Sequence, residues 1–253
     1  MRRLLPILAL AGSALLFFNA QSKAVLYGVE IPPKIKALII TGDDVDVHHW
    51  KETTAAVRKI LVDSGRFDVT VSEDLKPLES ADELNAYDVI VLNRFNRKAP
   101  LSAAAKKNLL DFVHSGKGFY VQHLASASFG DWPEFGKLCG RHWVMKKSGH
   151  GPRAPFDAKI ADDAHPITAG LKDFRADDEL YAKLEGKEPI HVLVEAHSDW
   201  SKKTEPLVFW LPYGQGRVVH NCFGHDTKAI ATPEVTTIIV RGIEWAATGK
   251  VAK

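Results

Sequence analysis

Four strand-like and three helix-like segments follow one another, largely in alternation, between residues 36 and 138, and few folds accept that order. Lys36-Ala37-Leu38-Ile39-Ile40 is an apolar run ending in Thr41-Gly42, the pattern of a strand covered on both faces. A helical segment follows with Ala56, Val57, Ile60 and Leu61 on one side and Gly65 as its stop. Phe67 to Val71 alternates as a second strand, and Tyr87 to Asn93 is an apolar third. Ser102 caps a helix through His114 that buries Leu109, Leu110, Phe112 and Val113. A fourth strand spans residues 118–123, and Trp132 to Leu138 reads as a helix. The expectation is an α/β fold with a doubly wound, mostly parallel, flavodoxin-like sheet.

The second half is less regular. Residues 141–155, rich in Gly, Pro, Lys and His, read as a long loop, and Phe156 to Ile160 as an edge strand. His191 to His197 alternates. Pro206 to Leu211 and Arg217 to Cys222 flank the turn Tyr213-Gly214-Gln215-Gly216, which predicts an antiparallel hairpin toward the C-terminus. A last helix starts with Thr232 as cap and Pro233 in its first turn, and ends before Gly249. With no repeat or linker, residues 34–249 are expected to form one domain.

The first 24 residues stand apart. Arg2-Arg3, the apolar run Leu4 to Phe18 and the small residues at Ser22-Lys23-Ala24 read as a secretory signal peptide cleaved after Ala24. This predicts a secreted or periplasmic protein with no stable membrane insertion after cleavage; an uncleaved anchor is the alternative. Cleavage removes Arg2, Arg3 and Lys23 and no acid, taking 33 basic residues to 30 against 31 acidic. A balance near zero leaves no electrostatic footprint for nucleic acid. Self-association into a homo-oligomer is compatible with this surface and is not specified by it. Cys139 and Cys222, in an oxidising compartment, read either as a disulfide or as two half-buried thiols.

Candidate chemistry gathers at strand ends, where open α/β sheets bind ligands. His123 ends the fourth strand and is followed by the small residues Ala125, Ser126 and Ala127. His225-Asp226 follows the strand that ends near Cys222, and Asp226 reads either as an orienting or proton-accepting group or as a helix cap. In Asp177-Asp178-Glu179-Leu180-Tyr181, Glu179 reads as a metal ligand or general base if Leu180 and Tyr181 turn it inward. His150 lies between Gly149 and Gly151, where backbone can approach a ligand. Of the adjacent His48 and His49 at most one faces a site; His49 is taken as the substrate-binding one, beside Trp50 as a stacking surface. His165 reads as structural, and His114, His191, His197 and His220 fall inside helix or strand patterns. No Walker loop, GxGxxG, Gly-x-Ser-x-Gly or HExxH is present, which removes the usual support for a nucleotide cofactor, a serine hydrolase or a zincin.

Taken in order, these fragments resemble the ThuA-like (trehalose-utilisation) family, which shares the class I glutamine amidotransferase-like fold. The resemblance runs from about Lys34 to Gly249. It includes Leu38 to Gly42, Gly116-Lys117-Gly118-Phe119, His123-Leu124-Ala125-Ser126, Trp132-Pro133-Glu134-Phe135 and His165-Pro166-Ile167-Thr168. Asp178-Glu179-Leu180-Tyr181, Gly214-Gln215-Gly216-Arg217, Gly224-His225-Asp226 and Gly242-Ile243-Glu244-Trp245-Ala246 complete it. The amidotransferase relatives need a nucleophilic Cys at the elbow where His123 stands, so glutaminase chemistry is not expected. Cys139-Gly140 stands where the family tends to carry paired glycines.

The resemblance implies a small-molecule sugar partner, a disaccharide or keto-sugar. The residues suit a pocket of His123, Glu179 and His225, with His150 or one of His48 and His49, binding Zn²⁺ or a similar divalent metal. Isomerisation or elimination is the expected reaction, with Asp226 as a further catalytic group. Hydrolysis by a metal-bound water, a metal-free His/Glu acid–base site, and a non-catalytic carbohydrate binder using Trp50, Trp132 and Tyr181 are the alternatives.

Overall fold

The computed structural model describes residues 33–42 and 48–252. The expected leader and the acids Asp43, Asp44 and Asp46 lie outside the described residues. In chain order the first half runs β1 (Ile35–Thr41), α1 (Trp50–Asp63), β2 (Phe67–Ser72), α2 (Ala81–Asn85), β3 (Val89–Asn93), α3 (Ala103–His114), β4 (Gly118–Gln122) and α4 (Pro133–Cys139). The second runs β5 (Ala154–Ile160), β6 (Phe174–Asp178), β7 (His191–Ser198), β8 (Lys203–Tyr213), β9 (Gly216–Asn221), α5 (Thr227–Ile230) and α6 (Pro233–Thr248).

Alternate side chains of the parallel strands enter opposite apolar layers, as a period of two requires. Ala37, Ile39, Val91 and Tyr120 join Val57 and Leu61 of α1 and Ile238 and Ile239 of α6. Leu38, Ile40, Ile90 and Phe119 join Leu109 and Phe112 of α3 and Phe135 of α4. Strands β2, β1, β3, β4 and β9 lie side by side in that order, all parallel, and β8, β7, β5 and β6 continue the sheet antiparallel. The sheet is therefore mixed, and its antiparallel part is larger than the expected hairpin. β9 is both the second arm of that hairpin and the parallel neighbour of β4.

Two local expectations are corrected. β5 is not an edge strand, because β6 pairs along Ala154 to Ala158 and covers it. The segment at 141–155 is tied by bridges from His142 to Glu185 and Gly149 to Ala182, followed by the start of β5. β5 meets β7 only through Lys159 and Ile160, so the β5–β6 ribbon is free to leave the main sheet. Phe156 and Phe174 of the ribbon pack on Phe223, with ring centroids 6.1 and 5.6 Å apart, which brings the end of β6 to the end of β9. Cys139 and Cys222 are free, buried thiols. Among the described residues no helix is long and apolar enough to cross a membrane.

Close packing of α6 on β4 depends on Gly118. A Cβ there would stand 2.6 Å from the Ala246 carbonyl carbon, and backbone cannot yield as a side-chain tip can. Gly118→Ala is expected to cost about 1–3 kcal/mol through overpacking, read as a Tm several degrees below wild type. An unchanged Tm would contradict this packing.

Candidate metal and sugar site

Four side chains converge beyond the carboxyl ends of the parallel strands. His48 follows β1, His123 follows β4, Glu179 follows β6 and His225 follows β9. One donor atom from each lies within 4.8 Å of the other three. His48 Nε2 is 3.2 Å from His123 Nε2 and 3.3 Å from His225 Nδ1. Glu179 Oε2 is 3.2 Å from His225 Nδ1, 3.6 Å from His48 Nε2 and 3.7 Å from His123 Nε2.

Three of these four side chains are held by local backbone chemistry. His123 takes φ +43 as the chain turns out of β4, a strained value for a residue with a Cβ and typical of functional bends. Its Nδ1 donates to the Cys222 carbonyl at 2.6 Å, so in the neutral ring the Nε2 lone pair faces the cluster. Glu179 and His225 are joined by Asp178. That buried carboxylate accepts from the backbone N–H of Glu179 at 2.8 Å, Gly224 at 2.7 Å and His225 at 3.2 Å. The row Phe174, Ala176, Asp178 is buried along β6, and this alternation is the signal that singles out Asp178 from its acidic neighbours.

The electrostatics are those of an acid among bases. Burial alone would raise the Glu179 carboxyl, but the imidazoles of His123, His225 and His48 outweigh it and hold the group well below the usual carboxylate range. Glu179 in turn raises the His225 pKa, while burial lowers that of His48 and favours its neutral form. Burial pushes Asp178 up, opposed by His123 and by its amide donors. Glu179 Oε2 and His48 Nδ1 are buried without a hydrogen-bond partner.

The second ring of residues explains the remaining expectations. Tyr181 is buried, stacks on His123 at a centroid distance of 4.3 Å, and places its hydroxyl 2.9 Å from His123 Nε2. His150 Nε2 reaches Glu179 Oε1 at 3.4 Å, and Trp50 lines a water-sized recess beside His48, His123 and His225. Asn93 closes that recess, its amide donating to Thr54 at 2.9 Å and Thr53 at 3.3 Å.

Three residues stand elsewhere. His49 is exposed at the N-cap of α1, so the inward imidazole is His48: a helix beginning at Trp50 turns the two neighbours apart. Trp132 is core, stacked on Phe135 at 5.9 Å, and Trp132→Ala should cost about 3–5 kcal/mol, read by denaturant unfolding. Asp226 caps α5 through the Ala229 N–H at 2.9 Å and pairs with Arg153, which also reaches Asp177; it contributes no atom to the cluster.

The ThuA family model, described as trehalose utilisation, matches residues 36–246. Among curated proteins no sequence matches this one. A ThuA-like protein from Parabacteroides merdae is 28% identical, with a TM-score of 0.78 over 87% of this chain and 92% of its own. A second, from Bacteroides uniformis, has 20% identity and a TM-score of 0.68, covering 86% of this chain and 94% of its own. A β-galactosidase from Rahnella shares the fold at 17% identity and a TM-score of 0.57, over 85% of this chain and 32% of its own.

Proposed function

This chain belongs to the ThuA family, and from that premise we propose that it is an exported sugar-metabolism enzyme. It acts on a keto or hydroxyl group of a disaccharide or keto-sugar with the help of a divalent ion. His48, His123, Glu179 and His225 would hold the ion, one donor atom of each lying within 4.8 Å of the others.

The spacing of the donor atoms carries this reading. Ligands about 2.1 Å from an ion at tetrahedral angles stand roughly 3.4 Å apart. Five of the six donor separations run from 3.2 to 3.7 Å, and all six lie within 4.8 Å. Such spacing is poor for five hydrogen bonds and good for one shared cation. The partnerless Glu179 Oε2, set among three ring nitrogens, supports the same reading. Imidazole and carboxylate donors suit Zn²⁺ and similar first-row ions.

Such an ion supplies Lewis acidity toward a sugar oxygen. The chain supplies the rest. Asp178 fixes the backbone of two ligands, and the Cys222 carbonyl fixes the His123 tautomer. His150 sits next to Glu179 with its side chain 32% exposed, placed to take a proton from a carbon or hydroxyl of the bound sugar and to return it elsewhere. This favours isomerisation or elimination on a keto-sugar. No cysteine stands at the His123 bend, so the chain carries no glutaminase nucleophile.

Elemental analysis of the purified protein, followed by turnover of trehalose and its 3-keto derivative, tests the reading. The expected result is about one divalent ion per chain and conversion of the keto-sugar that stops in His150→Gln with the ion retained. Binding of these sugars without any conversion would replace the enzyme by a carbohydrate-binding protein.

A further inference from the structure

Beside the cluster lies a second cavity, of about 250 Å³, that reaches His48, Glu179 and Tyr181. Its walls are largely apolar. Phe95, Leu124, Ala127, Trp143, Met145 and Tyr181 form most of them. The polar groups are His48, Glu179 and His150 of the candidate centre and the exposed Arg97.

A monosaccharide ring carries hydroxyls around its edge. Burying them against apolar side chains without partners costs about 1–3 kcal/mol for each unpaired group. Trp143 is fixed in this wall from two sides. Its ring meets Tyr181 edge-on at 4.8 Å, and its backbone N–H donates to the Ser126 carbonyl at 2.9 Å. Opposite requirements of rigidity and tolerance are met by Met145, whose flexible thioether is 59% exposed. It is one of only three large hydrophobic side chains exposed among the described residues. A dry cavity of about 150 Å³ already holds a benzene ring, so this one accepts an aromatic ring with room to spare.

Resting on the reading above, in which a sugar oxygen meets the ion, we infer that this cavity seats the non-sugar part of the substrate. The protein then selects glycosides, or keto-glycosides, of apolar or aromatic alcohols over disaccharides. The cavity shares His48 with the water-sized recess that Thr53 and Asn93 line, so a glycoside placed across that histidine puts a single hydroxyl into the recess and its aglycone on the apolar side.

The test is calorimetric titration of the protein as purified with phenyl glucopyranoside, methyl glucopyranoside (both anomers of each) and trehalose. Bound metal is quantified in the same samples. The phenyl glycoside is expected to bind at least ten times more tightly than the methyl glycoside and than trehalose. Trp143→Ala should abolish that preference with the metal content unchanged. Met145→Gln, at an exposed position that does not threaten folding, should reduce it two- to threefold. Equal affinity for phenyl and methyl glycosides, tightest binding of trehalose, or no binding of any of them to metal-loaded protein overturns the inference. A phenyl preference in protein that contains no metal keeps the aglycone pocket and removes the metal reading instead.

Discussion

His123→Ala should empty the metal site. The variant removes one of four donors and leaves Glu179 Oε2, already without a hydrogen-bond partner, beside only two imidazoles. Bound divalent ion, about one per chain in the wild type, should fall to near background. The effect on stability follows by linkage. An ion present at a thousand times its dissociation constant adds about 4 kcal/mol to the folded state. The wild type should therefore lose that increment on treatment with EDTA, while His123→Ala shows no EDTA response. His48→Ala should behave like His123→Ala. His49→Ala, one position away and exposed, should keep both the ion and the EDTA response. Wild-type protein that carries no ion, and whose Tm ignores added Zn²⁺ and EDTA alike, would remove the basis of the proposed function.

Asp178→Asn carries the second large effect. The carboxylate accepts three backbone N–H groups, two through Oδ1 and one through Oδ2. An amide of the same shape has one acceptor oxygen and turns an N–H₂ toward the other donors. At least one buried N–H then loses its partner, at about 1–3 kcal/mol each. The loss falls on the connection between β6 and the loop after β9, so Glu179 and His225 drift relative to one another. Ion affinity should drop 10–100-fold, the usual consequence of disturbing the groups that orient metal ligands. Denaturant unfolding measures the first effect and competitive chelator titration the second. A variant with reduced stability and wild-type ion affinity would show that Asp178 supports the fold alone.

How much of this was readable from the chain depends on whether neighbours in sequence were also neighbours in space. The parallel half was legible because each strand is buried on both faces and leaves a continuous apolar run, as in Leu38 to Ile40 and Val89 to Leu92. His123 and His225 were legible because strand ends in such sheets face the ligand side. β6 was not, since Phe-Arg-Ala-Asp-Asp has one buried face and ends in acids that look solvated. Glu179 was suspected from Leu180 and Tyr181, but its neighbour Asp178 passed as one acid in a run. The choice between His48 and His49 turned on where α1 begins, a boundary that single-residue patterns do not resolve. Trp132 looked like a stacking surface because its partners Phe129 and Phe135 are close in sequence, and only the packed layer shows that they enclose it. Trp143 lies in a stretch without periodicity, and nothing near it in the chain announces the cavity it lines.

The position of β9 has a consequence for synthesis. Residues 216–221 are made late, yet they fill the place between β4 and β8 near the middle of the sheet. Until they emerge, the nascent protein exposes the open side of β4, with Phe119, Tyr120 and Val121 and their unpaired amides, and such edges recruit other chains. Polypeptides truncated before Gly216 should precipitate or bind chaperones, and the same truncation removes His225.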